Sequence, residues 1–156
     1  MKQKLLLVCL ALFTSIGYAQ ISIDELNINS QLTDRIQFSK WEVHTKEMSK
    51  PGDTEKEYKK ELKRVTLSKE DQELISAKLK DPESYTQERD LLYHYDLVFL
   101  FYKEDVVVTE VRLSTLTGNI DIDNKLTKSS IKSKCANTMK SVLLNLLRKH
   151  EFLSEE

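Results

Sequence analysis

Glycine, cysteine and proline are all scarce in this 156-residue sequence, which holds three glycines, two cysteines and two prolines. Gly17 lies in an apolar N-terminal segment, so Gly52 and Gly118 are the glycines of the remaining chain. A P-loop or a dinucleotide-binding loop needs clustered glycines, because its backbone amides must approach phosphate groups closely. The sequence therefore argues against ATP and NAD chemistry, and we expect no cofactor.

The N-terminus has the features of a cleavable secretory signal peptide. Lys2 and Lys4 are followed by an uncharged, largely apolar run of 12 residues, which is shorter than the about 20 residues that a membrane-spanning helix needs. Small residues then favour cleavage after Ala19, so residues 1–19 are the predicted signal peptide and Gln20 the first mature residue. We therefore expect a periplasmic or secreted protein without stable membrane insertion after cleavage.

Neither sign of charge dominates the sequence. The chain has 24 Lys and Arg against 25 Asp and Glu, and loss of Lys2 and Lys4 with the signal peptide takes the net charge from −1 to −3. Proteins that bind nucleic acid neutralise phosphates with clustered Lys and Arg, so we expect no nucleic-acid partner. Beyond the signal peptide Cys135 is the single cysteine, which excludes a disulfide within the mature chain.

The first half of the chain predicts a β-hairpin followed by a helix. Residues 20–35 have no clear period and are interpreted as an arm or short helix, and residues 36–156 as a single domain. Alternating apolar residues predict a strand over 36–48, with a bulge near Ser39. Residues 54–67 fit either a helix with a capping box or a returning strand, and we favour the hairpin.

The first well-marked helix is expected between Ser68 and Pro82. Ser68 is a suitable N-cap, and the residue before a proline is pushed out of the helical conformation. Leu74, Ile75 and Leu79 form its predicted buried stripe.

The second half predicts a three-strand meander and a final helix. Residues 97–102 are apolar on both alternating faces, which is typical of a central strand covered on both sides. Strands at 106–113 and 120–122 follow. A stripe at spacings of three and four predicts an amphipathic helix of roughly five turns: Ile131, Cys135, Met139, Val142, Leu143, Leu146 and Leu147. The predicted fold is α+β, an antiparallel sheet of hairpin plus meander packed with two helices, in the order ββαβββα.

Cys135 with His94 or His44 is the sharpest catalytic hypothesis, as the nucleophile and base of a small hydrolase. Cys135 lies on the predicted core stripe, however, where a thiol has a raised pKa and is inert. Structural zinc sites begin with closely spaced ligand pairs, and Cys135, His44, His94 and His150 are widely separated. We therefore favour a protein without a catalytic or zinc site.

Two acidic groups suggest further chemistry. Asn119, Asp121 and Asp123 alternate as the first ligands of a calcium loop do, but the turn glycine and the bidentate glutamate are missing, so we interpret them as the wet face of an edge strand. Asp90 and Asp96 flank aromatic residues around His94, an arrangement that a glycosidase could use if the carboxylates were suitably spaced.

The predicted function is a non-catalytic exported module that binds a protein, peptide or component of the cell envelope. This prediction rests on the signal peptide, the missing cofactor motifs and a charged hairpin. Trp41 and Tyr58, two aromatic residues of that hairpin, are the predicted binding residues.

Overall fold

The computed structural model describes residues 33–45, 57–86, 89–92 and 94–153. The predicted signal peptide and most of the arm at 20–35 lie outside these ranges. Residues 50–53, whose proline and glycine favour a turn between the two hairpin strands, lie outside them as well. The strands are β1 (Arg35–Thr45), β2 (Glu57–Thr66), β3 (Tyr85–Thr86), β4 (Leu97–Lys103), β5 (Val106–Leu113), β6 (Asn119–Asn124) and β7 (Ser129–Cys135). The helices are α1 (Lys69–Lys80) and α2 (Asn137–Lys149), and a 3₁₀ turn spans Pro82–Ser84.

All strands belong to one antiparallel sheet in the order β2-β1-β4-β5-β6-β7-β3. The predicted α+β class, with an antiparallel sheet and two helices, is confirmed. The structure adds two strands to the predicted order, the short edge strand β3 and the strand β7.

The hairpin interpretation of residues 54–67 is confirmed, because β2 pairs antiparallel with β1. Phe38 lies opposite Val65, and the register shifts between Lys40 and Trp41, which lie opposite Lys63 and Glu61. The unpaired extra residue is Leu62, so the bulge predicted near Ser39 on β1 lies on the partner strand β2 instead. Since successive side chains of a strand point to opposite faces, Phe38 and Trp41 lie on opposite faces of the sheet.

One face of the sheet packs against both helices. The rings of Phe38 and Phe99 are parallel with centroids 4.3 Å apart, and Phe152, beyond α2, packs edge-on against Phe38 at 4.7 Å. Stacked and edge-on aromatic pairs contribute beyond their buried area, so this cluster stabilises the join between hairpin and meander. The helices add Ile75 and Leu79 from α1 and Met139, Leu143, Leu146 and Leu147 from α2.

Two burial predictions need correction. On β4, Leu97, Phe99 and Phe101 are buried but the alternate residues are half-buried, so the strand is fully covered on one face and not on both. Among the described residues the hydrophobic core lies on the side of these three residues, which explains the asymmetry. On α1 the predicted N-cap and C-terminus are confirmed, but Leu74 is 42% exposed and does not belong to the buried stripe.

The predicted five-turn helix is wrong in its first part. Ser129–Cys135 forms β7, paired with β6, and α2 begins only at Asn137. Ile131 and Cys135 face the core as alternate residues of a strand, with buried Ser133 between them. A spacing of four satisfies both a helix and a strand, so apolar spacing alone placed both residues in the wrong element.

Candidate binding pocket

A pocket of about 240 Å³ lies where α2 crosses one end of the sheet. Its apolar lining is Leu97, Leu113, Cys135, Leu143, Leu144 and Leu147, and we call it the α2 pocket. Leu97 begins β4 and pairs with Leu113 at the end of β5, so the antiparallel register brings both residues to this end of the sheet. Leu144 is 40% exposed, which shows that the pocket reaches the protein surface.

The turn between β5 and β6 forms the polar side of the α2 pocket, and its hydrogen-bonding groups are engaged. Gly118, with a φ of 76°, donates its amide hydrogen to the Ser114 carbonyl at 2.9 Å. The Ser114 hydroxyl accepts from the Thr117 amide at 3.1 Å. Thr115 donates from its amide and its hydroxyl to the Asp96 carboxylate. These groups stabilise the turn and are already partnered.

Lys140 is the cation of the α2 pocket. A Cβ atom added at Gly118 would lie 3.1 Å from Lys140 Cε, so the lysine stem passes closely over the glycine. Within the part of the chain that the structure describes, the ammonium forms no ion pair or hydrogen bond. Every other feature of the lining is apolar or internally satisfied, so this charge is its distinctive polar group.

Cys135 lines the α2 pocket but is 2% exposed. Burial raises the pKa of the thiol to about 12, against a weaker lowering effect of Lys140. A thiol with such a pKa stays protonated at neutral pH, and the thiol is a much weaker nucleophile than the thiolate.

The structure does not bring the proposed cysteine–histidine pair together in the described ranges. No hydrogen bond joins Cys135 to His94 there, and the side chain of His44 lies outside the described part. His150 is engaged elsewhere, with Nε2 3.1 Å from the Asp71 carboxylate.

The acidic residues near His94 form separate ion pairs with lysines. The Asp90 carboxylate lies 2.7 Å from Lys134 Nζ, and the Asp96 carboxylate lies 2.7 Å from Lys40 Nζ. Asp96 also accepts two hydrogen bonds from Thr115, which fixes it to the β5–β6 turn. The structure gives these carboxylates structural partners.

The interpretation of Asn119, Asp121 and Asp123 as the wet face of an edge strand is wrong. They lie on β6, between β5 and β7, and Asn119 and Asp121 are buried. Asp121 is 3.0 Å from an Arg89 nitrogen, and Asp123 is 2.6 Å from an Arg112 nitrogen. The oxygens proposed for calcium therefore already bind guanidinium groups.

Asn119 has a different role from the two aspartates. Its side-chain amide donates to the carbonyls of Asp90 and Leu92, each at 2.9 Å, and its oxygen accepts from the Asp90 amide at 3.0 Å. These three bonds attach the loop before β4 to the sheet.

The two aromatic residues predicted to bind a partner lie on the hairpin. Trp41 is half-buried, on the sheet face away from the helices, and among the described residues its indole nitrogen is buried without a hydrogen-bond partner. Tyr58 lies opposite His44 in the register, but its side chain is outside the described part. Their binding role stays a prediction.

Sequence reasoning missed Lys140 and the α2 pocket. The sequence places Leu143 and Leu147 on the buried stripe of the last helix. The adjacent Leu144 extends the apolar surface of that helix, and it stays partly exposed because the core does not cover it. An apolar stripe with one partly exposed member was the available signal, and it does not by itself indicate a pocket.

Comparison with protein-family models, with curated proteins and with solved structures gives no match to this chain. Neither described helix combines the length and apolar character needed to cross a membrane. In the described ranges no three His, Cys, Asp or Glu side chains are grouped so that they could hold a metal ion.

Proposed function

We propose that this chain is a non-catalytic binding module of the cell envelope, and that the α2 pocket is its binding site. The observation that carries the proposal is an apolar pocket that reaches the surface beside Lys140, a cation with no ion-pair partner among the described residues. Ligand sites are concave, predominantly apolar and equipped with a few polar groups that orient the ligand, and the α2 pocket has these properties.

The chemistry of the lining supports binding over catalysis. Cys135 is the cysteine of the pocket lining, and its raised pKa keeps the thiol protonated. The Thr115 hydroxyl donates to Asp96, and Ser114 accepts a bond from its own turn. The Asp96 carboxylate that accepts from Thr115 is itself paired with Lys40 Nζ at 2.7 Å, so these hydroxyls and their partners hold the turn together.

The proposed location is the periplasm or the extracellular medium. It is supported by the positive start, the short apolar run and the small residues before Gln20. Expression of the full chain in a Gram-negative host, followed by mass measurement of the exported product, tests this location. A product that begins at Gln20 is expected, and an uncleaved cytoplasmic product would contradict the proposal.

The binding site is tested with naphthalene, a neutral apolar probe of suitable size, observed by saturation-transfer NMR on the purified protein. Leu144→Arg places a charge in the mouth of the α2 pocket and should abolish the naphthalene signal. Leu74→Arg is a matched control, because Leu74 is a helical leucine of nearly equal exposure, 42% against 40%. Equal signals from the wild type and both variants would rule out the α2 pocket, provided that thermal melting shows each variant folded.

A further inference from the structure

We infer that the α2 pocket binds an aliphatic carboxylate, with the alkyl chain among the leucines and the carboxylate against Lys140. This inference rests on the proposed function and specifies the ligand class of the same site.

The size of the pocket sets the length of the ligand. An apolar cavity of about 150 Å³ accommodates benzene in a protein core. The α2 pocket measures about 240 Å³, which by the same proportion accommodates roughly ten carbon atoms. Five leucines surround this volume, and burial of each methylene among them favours binding.

The polar groups of the lining are already hydrogen-bonded within the protein, which favours a ligand whose body is apolar. The Gly118 amide and carbonyl are bonded to Ser114 and to the Cys135 amide, at 2.9 and 2.7 Å. A peptide entering the pocket would bury its own amide groups against leucines without partners, which costs free energy for each group. An alkyl chain has no such groups, so the lining discriminates against peptides and in favour of hydrocarbon.

The positive charge of Lys140 favours a ligand with an anionic head group. Its ammonium adjoins the apolar lining and has no carboxylate partner among the described residues. A lysine beside an apolar surface keeps its charged end toward water, where a ligand carboxylate can meet it while the chain stays buried. A charge-assisted hydrogen bond forms there, and it is stronger than a bond between neutral groups.

The test compares three ligands that share one chain: decanoate, decanol and decylammonium, each below its micellar concentration. Calorimetric titration of the purified protein should give decanoate an affinity roughly three- to tenfold higher than that of decanol. Decylammonium should bind most weakly, because its charge repels Lys140. Saturating decanoate should also slow modification of Cys135 by methyl methanethiosulfonate, because Cys135 lines the occupied pocket.

Variants of Lys140 separate charge recognition from hydrophobic binding. Lys140→Gln should remove the preference for decanoate over decanol, Lys140→Arg should keep it, and Lys132→Gln, at an exposed lysine on β7, should leave it unchanged. Equal affinities for all three ligands, or a preference that survives Lys140→Gln, would overturn the anionic head and leave the binding site standing. Naphthalene binding without any alkyl binding would overturn the ligand class, and absence of both would overturn the proposed function as well.

Discussion

The Asp71 carboxylate accepts a hydrogen bond from the Lys149 ammonium at 2.8 Å, which joins the first turn of α1 to the last turn of α2. The other oxygen of Asp71 lies 3.1 Å from His150 Nε2. Asp71 is buried, whereas the Lys149 side chain is 54% exposed. The contact therefore connects two helices that are separated along the chain by the strands β3 to β7. It helps to position α2, which carries four of the ten residues that line the α2 pocket.

Asp71→Asn should lower the free energy of unfolding by about 1–3 kcal/mol, because charge-assisted bonds to a buried carboxylate are lost. Glu73→Gln, an exposed substitution on the same helix, should change it by less than about 0.5 kcal/mol. Urea unfolding of both variants at neutral pH measures the difference. Equal stability of the two variants would show that the contact between α1 and α2 contributes little.

The stabilising effect of Asp71 should depend on pH. Burial acts to raise the pKa of Asp71, but the bonds from Lys149, His150 and Ser68 outweigh it, so the pKa lies below its ordinary value of 3.8. A carboxyl with a lowered folded-state pKa stabilises the fold above its unfolded-state pKa, and this contribution is lost as pH falls through the folded-state value. The stability gap between the wild type and Asp71→Asn should therefore be present at about pH 5 and should narrow below about pH 4. A gap that widens below about pH 4 would contradict the direction of the pKa shift.

Cys135 should react at least about a hundredfold more slowly in the native protein than in the unfolded chain, because burial suppresses both access and the thiolate. An aromatic disulfide reagent at slightly alkaline pH, with and without concentrated guanidinium, gives both rates. Cys135→Ser supplies the background, including any reaction of Cys9. Rapid modification of Cys135 in the native state would revive the hydrolase hypothesis.

The elements that the sequence predicted well are those with local signals. The Ser68 hydroxyl accepts a hydrogen bond from the Asp71 amide as the N-cap of α1, and Pro82 follows the end of that helix. Residues 54–67 fit a helix or a strand by sequence, with the hairpin favoured, and the strand is decided by the pairing of β2 with β1, which itself pairs with β4. Local chemistry thus fixes the ends of α1, whereas the strand character of β2 depends on its partners.

The start of α2 could not be placed because the competing signals are tertiary. Ser133 interrupts the apolar pattern, and its hydroxyl donates to the Thr86 carbonyl at 2.7 Å. That contact requires β3, a two-residue strand without a recognisable sequence pattern. The spacing of Ile131 and Cys135 therefore continues the apolar stripe of α2 toward its N-terminus, although both residues lie on β7.

The α2 pocket was beyond prediction for a related reason. Leu97, Leu113 and Cys135 come together because β4 begins, and β5 and β7 end, at the same end of the sheet. The stripe on α2 indicates which side is apolar, but the space left between helix and strand ends depends on how they pack.

Calcium should leave the melting temperature unchanged. Asp121 and Asp123 are paired with the guanidinium groups of Arg89 and Arg112. A calcium ion would have to displace both arginines, and so break two ion pairs of the folded protein. A ligand stabilises a protein only to the extent that it binds the native state. Melting scans with calcium or magnesium in millimolar excess test this, and an increase with calcium alone would restore the calcium hypothesis.

Removal of the Arg112 charge should destabilise the sheet more than removal of an exposed charge does. Its guanidinium lies 2.6 Å from Asp123 and 3.7 Å from buried Asp121, and it stands over the Tyr95 ring at 5.7 Å. Arg112→Gln leaves these carboxylates with less compensating charge, so we expect a loss of about 1–3 kcal/mol in the free energy of unfolding. Lys125→Gln is the control, because Lys125 is 49% exposed and its pairing with Glu110 at 3.4 Å is of the kind that contributes at most about 1 kcal/mol. If urea unfolding shows equal losses for the two variants, the Arg112 contacts stabilise the sheet no more than a surface ion pair does.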